Sequence, residues 1–379
     1  MLKAPPVRDR NASAGSVARL ALWLGMVGFG GGYAVLEQIR AIVVEKWRWL
    51  TSDDYADVVA IAQSLPGASG ANVFTQLGLR FGGLWGASAA TALFILPSAL
   101  LMVAFGALYG HVRDLRQIEA VFAGMNPAVV AIVVFTAWQL AKSSSKAWQV
   151  AVAVTTTALV ELQLLGVFEV VLLGVVGGLT TAVIRRPAGE TGRPPTMGLL
   201  PIIGLAALLP TIALVFLRLG LAMFGGGLAM IPVLDHEVVD RLGWLTPREF
   251  SDAVTLGQIT PGPVAITATF VGYRVAGASG AMTATLAAFL PAFVLNVIAG
   301  RSVAAWRRSP MVDSVFLAVK PVVIGVILAA ALSLGRNTLH EWPDYLVATL
   351  SLVALAWLRT SALLVLIAAA TVRGLASLY

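Results

Sequence analysis

Long apolar stretches separated by short polar segments make up most of the chain. Ten of these stretches are long enough for a helix to cross a hydrocarbon core about 30 Å thick. They are approximately residues 17–34, 56–80, 86–109, 117–140, 165–184, 198–234, 253–273, 279–300, 312–334 and 361–378. Two shorter apolar runs are residues 147–161 and 343–358. The pattern therefore predicts an all-α integral membrane protein with about 10–12 membrane segments.

Composition supports a lipid environment. Of 379 residues, 58% are hydrophobic and only 12% are charged, against roughly 25% charged in soluble domains. The net charge of +7 would suggest nucleic acid as the partner of a soluble chain. Here the basic residues lie in tails and loops between apolar stretches, as in membrane proteins that follow the positive-inside rule. We expect the lipid bilayer, and no nucleic acid, as a partner.

The residue types that form cofactor and catalytic sites are sparse. The chain has no cysteine, which excludes disulfides and thiolate metal sites. Its three histidines, His111, His236 and His340, are scattered, and no hydrolase or metalloprotease motif is present. We therefore predict no metal, no cofactor and no enzymatic activity.

An internal repeat divides the chain into two homologous halves. Residues 29–32 (FGGG) recur at residues 224–227, which is 195 positions later, and the offset becomes 194 after one deletion. We predict halves at residues 1–184 and 197–379, joined by a polar linker at residues 185–196. Equivalent loops carry opposite charge bias, which favours an inverted repeat. Further equivalent positions are Trp49 and Trp244, Pro66 and Pro261, Gly67 and Gly262, Pro97 and Pro291, and Pro127 and Pro321.

Two kinds of helix break recur in both halves. Three consecutive glycines weaken a helix, and a Pro-Gly pair ends one and leaves the following N–H groups unpaired. Such helix ends attract anions, so we interpret the breaks as a substrate-binding site. Close helix packing is the alternative for the glycines, and a simple kink is the alternative for the prolines. The residues are Gly30, Gly31, Gly32, Pro66 and Gly67, and Gly225, Gly226, Gly227, Pro261 and Gly262.

Polar residues near these breaks are further candidates for substrate binding. Hydroxyl and amide groups can donate to an anion, and guanidinium groups match tetrahedral oxyanions. Cross-helix hydrogen bonds, interfacial arginines and pairing with an acid are the alternatives. The candidates are Gln63, Ser69, Asn72, Arg80, Gln258, Thr267, Thr269, Arg274 and Lys320.

Acidic residues also recur, in amphipathic stretches between the two kinds of break. Asp57 and Asp252 occupy equivalent positions shortly before the Pro-Gly pairs. We select these two acids as candidates for proton coupling. The other charged residues of these stretches are expected to lie on surface helices at the membrane faces.

The repeated pattern of FGGG, WLT, an acidic position and Q-x-x-P-G resembles the chromate ion transporter family. The resemblance is close over residues 215–293 and clear over residues 20–97. It implies a fused two-domain member, with five or six spans per half in inverted orientation, in the inner membrane. It also implies chromate efflux driven by membrane potential or a proton gradient, with sulfate as a close analogue. A carrier or channel for another anion, or for a small organic solute, is the alternative. A second copy of the chain, as a homodimer, is a further candidate partner.

Overall fold

In the computed structural model, the described residues are 12–29, 31–113, 115–142, 146–162, 167–184, 208–223, 230–300, 310–358 and 360–376. Every regular element in these ranges is helical. The expected all-α fold class is therefore confirmed. The linker predicted at residues 185–196 lies outside the described residues.

The described α-helices fall into two series of seven, one in each half. The first series is α1 (Ala14–Val27), α2 (Gly31–Arg40), α3 (Ser52–Ser64), α4 (Ser69–Val112), α5 (Arg116–Lys142), α6 (Ala147–Glu161) and α7 (Val167–Ile184). The second is α8 (Leu208–Ala222), α9 (Met230–Asp235), α10 (Pro247–Ile259), α11 (Thr267–Gly300), α12 (Pro310–Thr338), α13 (Trp342–Ala356) and α14 (Ala362–Ala376). The π-helical segments Ala41–Lys46 and His236–Arg241 continue α2 and α9.

Helices α3 and α10 start at equivalent positions of the repeat and are capped in the same way. Thr51 Oγ1 accepts a hydrogen bond from the backbone N–H of Asp54 at 3.1 Å. Thr246 Oγ1 accepts one from the backbone N–H of Glu249 at 3.2 Å. Each cap satisfies an N–H that has no partner within its helix. The threonine of the WLT motif thus determines where both helices begin.

Residues 56–80 do not cross the molecule as one helix, although their hydropathy would permit it. Arg80 Nη2 lies 2.8 Å from Asp54 Oδ1, so the start of α3 and a point well inside α4 are side by side. The chain turns back because α3 ends at Leu65, whose backbone is extended (φ −112°, ψ 153°), before a proline that cannot continue the helix. The segment is a re-entrant hairpin.

Residues 253–273 fold back in the same way. Arg274 Nη2 lies 2.7 Å from Glu249 Oε1, which joins the start of α10 to α11. The second half therefore contains the same re-entrant hairpin as the first.

Helix α4 also reverses direction, at Gly83. The φ of Gly83 is 59°, in the left-handed region that favours glycine. The hydroxyls of Thr75 and Thr91 are 2.7 Å apart across this turn. A Cβ added to Gly78 would lie 2.3 Å from the carbonyl oxygen of Gly86. The two arms of α4 thus pack with their backbones in contact.

Helix α11 repeats this geometry at Gly277, which has a φ of 61°. Thr269 and Thr285 join the two arms through hydroxyls 2.6 Å apart. Gly272 and Gly280 make the close backbone contact. Each half therefore presents a re-entrant hairpin followed by a long helix that crosses the molecule.

The two re-entrant hairpins start at opposite ends of the molecule. Helix α3 starts, and α4 reverses direction, at one end of the molecule. We call this end the Gly83 side. From there residues 84–112 run roughly 40 Å, at 1.5 Å per residue, to the other end, which we call the Arg113 side. Near that end the guanidinium of Arg274 lies 5.3 Å from the ring centre of Tyr109. Because Arg274 marks the outer end of the second hairpin, the repeat is inverted, as predicted.

Helix length and composition fit a membrane. Four helical segments in the described ranges are long and apolar enough to cross one: Ser69–Val112, Arg116–Lys142, Val264–Gly300 and Leu317–Thr338. Shorter apolar helices accompany them, including Ala14–Val27 and Leu208–Ala222.

The second arm of α11, after Gly277, has an exposed apolar face. Met282, Leu286, Leu290 and Ile298 lie four or eight residues apart, on one helix face, and are 66%, 64%, 51% and 58% exposed. A continuous exposed apolar stripe of this kind is unfavourable in water and favourable against acyl chains. The chain is a multi-pass membrane protein.

Candidate functional site

Each Pro-Gly break is bound to the opposite half of the protein. The N–H of Gly67 donates to the carbonyl of Met223 at 2.7 Å, and the N–H of Gly262 donates to the carbonyl of Gly28 at 3.0 Å. Gly28 and Met223 follow α1 and α8, and both residue pairs are related by the repeat offset (223 − 28 = 195 and 262 − 67 = 195). The two breaks therefore lie where the halves meet, related by a pseudo-twofold axis.

Both break glycines have conformations that other residues rarely adopt. The φ of Gly67 is +118° and that of Gly262 is +103°. A Cβ on Gly67 would lie 2.5 Å from the Cβ of Ala292, and one on Gly262 would lie 3.0 Å from Ser98 Oγ. Backbone conformation and lack of space thus both require glycine, most strongly at Gly67.

Polar side chains that follow the breaks make hydrogen bonds within the protein. Asn72 Nδ2 donates to the carbonyls of Ala62 and Pro66, at 2.9 and 3.1 Å. Thr267 Oγ1 donates at 2.9 Å to a carbonyl three residues earlier. These bonds satisfy carbonyls left without helical partners by the breaks. Substrate contact by Asn72, Thr267 and the half-buried Ser69 stays a prediction.

The two glutamines before the breaks differ in their surroundings. Gln63 is half-buried on α3. Gln258 is half-buried on α10, and its Nε2 is buried with no hydrogen-bond partner. A buried N–H without a partner is costly, so Gln258 has a donor available beside the second break.

The remaining candidates are less well defined by the structure. Gly31 and Gly32 begin α2, whereas Gly30 and residues 225–227 lie outside the described residues. Lys320 is half-buried in α12, immediately before Pro321. Their assignment to the substrate stays a prediction.

Arg80 and Arg274 lie at the outer ends of the re-entrant hairpins, away from the breaks. Each pairs with the acid in the first turn of the preceding helix, Asp54 or Glu249. Burial opposes ionisation of both acids, but hydrogen bonds from the arginine and the capping threonine outweigh it and lower the pKa of each. These pairs join the arms of each hairpin, and substrate contact by either arginine stays a prediction.

A buried polar network surrounds Asp252, the acid of the second half. Its Oδ2 accepts hydrogen bonds from the hydroxyl of Tyr109 at 2.7 Å and from Nε of Arg113. Its Oδ1 accepts one from Asn126 Nδ2 at 3.0 Å. Thr255 Oγ1 donates to Asn126 Oδ1 at 2.5 Å, which fixes the orientation of that amide. Three donors from the first half thus hold a carboxylate of the second half.

This network lies on the Arg113 side, where α4 ends and α10 begins. Asp252 is completely buried, and Arg113 is 8% exposed. An unpaired carboxylate would be expensive at such a position, and the guanidinium offsets that cost. Asp57, the equivalent acid of the first half, is only half-buried.

The family of the chain follows from sequence comparison. A family model described as "Chromate transporter" matches residues 16–182 and again residues 210–375. The chain belongs to the chromate transporter family.

Three relatives match over three quarters or more of their length. The chain is 32% identical over 348 residues to a "Probable chromate transport protein" of Synechococcus elongatus, covering 88% of this chain and 87% of the relative. It is 31% identical over 350 residues to a "Chromate transport protein" of Cupriavidus metallidurans, covering 88% and 86%. An "Uncharacterized transporter" of Methanocaldococcus jannaschii is 29% identical over 308 residues, covering 76% of each chain. No solved structure matches the chain.

For this chromate transporter family member, sequence reasoning selected Asp252 for proton coupling, which stays a prediction, and missed the groups that hold it. Tyr109 ends an apolar stretch, where a tyrosine is an ordinary interfacial residue. Arg113 follows that stretch in a charged loop, where an arginine is equally ordinary. One signal could have found it, because Arg113 has an equivalent in Arg307, 194 positions later.

Proposed function

We propose that this chain exports chromate from the cytoplasm across the inner membrane, driven by membrane potential or a proton gradient, and that it is a transporter rather than an enzyme. The names of the two relatives from Synechococcus and Cupriavidus support the cargo. The observation that carries the proposal is the reciprocal pair of hydrogen bonds that ties each break to the opposite half.

This arrangement suits an anion carrier for a physical reason. In lipid, non-helical backbone is tolerated only where protein buries it or where it lines a cavity. Inverted repeats that bring two broken helices together can expose their junction to each side of the membrane in turn. N–H groups at the broken ends attract negative charge, and the buried Nε2 of Gln258 adds a donor.

A second candidate cargo is sulfate or another small divalent oxyanion. N–H and guanidinium donors recognise the tetrahedral shape and double charge that chromate and sulfate share. Sulfate is therefore the most informative competitor.

A homodimer is also proposed, and cross-linking of the purified protein would test it.

The decisive experiment is uptake of radiolabelled chromate into everted membrane vesicles that contain the protein. Energised and de-energised vesicles are compared, with and without excess unlabelled sulfate. We expect accumulation that requires energy and is reduced by sulfate. Accumulation no greater than in vesicles without the protein would refute chromate export, and labelled sulfate would then be assayed in the same vesicles.

A further inference from the structure

A cavity of about 580 Å³ opens between the helix ends on the Arg113 side. It lies among the end of α4, the first turns of α5, α10 and α13, and the last turns of α12 and α14. This volume is within the range of ligand sites, roughly 300 to 1,000 Å³. Polar and charged residues that line it include Arg113, Glu119, Arg248, Ser251, Asp344 and Arg373.

Most acids of the cavity wall already have donors. Glu119 Oε1 lies 2.5 Å from Nη2 of Arg248. Asp344 accepts hydrogen bonds from Nη2 of Arg373 at 2.5 Å and from the backbone N–H groups of His340 and Glu341, at 3.2 and 3.0 Å. The charge of these two carboxylates is thus partly used by the protein itself.

Among the described residues of this wall, the buried polar atoms that lack a hydrogen-bond partner can all donate. Nη1 of Arg113, Nε of Arg373 and Oγ of Ser251 are buried and make no hydrogen bond. Arg113 is 8% exposed and Ser251 is 3% exposed. Burying a donor without a partner is unfavourable, so these three side chains of the cavity lining offer donors to an acceptor bound there.

We propose that Arg113, Ser251 and Arg373 bind a tetrahedral divalent oxyanion in this cavity, as a site on the Arg113 side through which the cargo passes. The site deepens the proposed function and rests on it for the identity of the cargo. Two guanidinium groups supply charge and directed N–H donors. Asp252 holds Arg113 through Nε, which leaves Nη1 free for the anion.

The path from this cavity to the second break follows α10. Ser251 and Gln258 are seven residues apart, which places them on the same helix face about 10 Å from each other. Each has a buried polar atom without a partner. Together they form two successive donors between the cavity and the break.

The test measures binding directly, with the purified full-length protein in detergent. Equilibrium dialysis with [35S]sulfate gives the affinity, and unlabelled chromate serves as competitor. Ser251→Ala removes one free donor, and Arg373→Gln removes another together with the ion pair to Asp344; both leave the contacts of Asp252 in place. Arg241→Gln is the matched control, because Arg241 is a partly exposed arginine that pairs with Glu237 and does not line the cavity.

We expect Ser251→Ala and Arg373→Gln each to weaken sulfate binding roughly tenfold or more, as loss of a hydrogen bond to a charged group predicts. Arg241→Gln should bind as the unchanged protein does. Equal affinity in all four proteins would overturn the site, because the cavity would then hold only water.

Binding and transport can fail separately. If the two variants bind sulfate weakly but vesicles with the unchanged protein do not accumulate chromate, the site stands and the proposed cargo is wrong. If the unchanged protein transports chromate and the variants bind as well as it does, the proposed function stands and the site is wrong. Absence of any sulfate or chromate binding by the unchanged protein would overturn the site, and vesicle uptake would then decide the proposed function separately.

Discussion

The two halves share the geometry of their breaks but differ at the acid that precedes each break. Gly67 and Gly262 both have left-handed φ angles, and each donates to a carbonyl of the opposite half. Asp252, however, is completely buried and accepts three hydrogen bonds, whereas its equivalent Asp57 is half-buried.

The origin of this difference is visible in the sequence. The donors to Asp252 come from the first half, so the equivalent donors for Asp57 would come from the second. There Arg307 is the equivalent of Arg113, but Val303 and Lys320 replace Tyr109 and Asn126, at an offset of 194. A hydroxyl and an amide have thus been exchanged for methyl groups and a cation. Both halves of the repeat thus keep the Pro-Gly break, whose backbone conformation needs glycine, while the side chains around the two acids differ.

The largest effect on transport is expected from substitution of the glycines that the two Pro-Gly breaks share. Gly67→Val and Gly262→Val should each abolish chromate transport, because valine at a left-handed φ is strained and its Cβ would meet Ala292 or Ser98. Vesicle uptake, normalised to the amount of inserted protein, measures both.

Gly177→Val is the matched control for these two substitutions. Gly177 lies in α7, where an added Cβ would meet no atom within 4 Å. We expect transport close to that of the unchanged protein. Full transport by Gly67→Val or Gly262→Val would show that the breaks do not require glycine.

A smaller but unequal effect should follow when the two acids are changed in turn. Asp252→Asn leaves Arg113 buried without its counter-charge, and loss of one partner from a buried pair costs on the order of 3 kcal/mol. Asp57→Asn should cost less because Asp57 is only half-buried. The midpoint of thermal unfolding in detergent should therefore fall clearly for Asp252→Asn and only slightly for Asp57→Asn.

Measuring transport by these two variants distinguishes a role of each acid in stability from a role in proton coupling. If Asp252 takes part in proton coupling, Asp252→Asn should lose the dependence of uptake on the proton gradient even in protein that remains folded. Equal shifts of the unfolding midpoint in both variants would contradict the asymmetry of the two halves.

The fold could be predicted from the sequence because the signals for it are local. Apolar length predicts helices, and the recurrence of Pro66-Gly67 as Pro261-Gly262 predicts the breaks and the repeat. It did not predict that residues 56–80 turn back, because hydropathy carries no direction and the reversal is seen only in the pairing of Asp54 with Arg80. Nor could it join Arg113 to Asp252, since these residues are 139 positions apart and meet only through tertiary packing.

The smallest effect, and an equal one, is expected at the paired arginines of the hairpins. Arg80→Ala and Arg274→Ala should each destabilise the protein by less than about 1 kcal/mol, because both ion pairs are partly exposed and solvent screens them. The lowered pKa values of Asp54 and Glu249 mean that both acids stabilise the fold above their ordinary values of 3.8 and 4.5 and lose this contribution as the pH falls further. The difference in unfolding midpoint between each variant and the unchanged protein should therefore be greatest near pH 7 and shrink below pH 4. A markedly larger loss in one variant would mean that its arginine does more than join the arms of its hairpin, and contact with the anion would then be the first explanation to test.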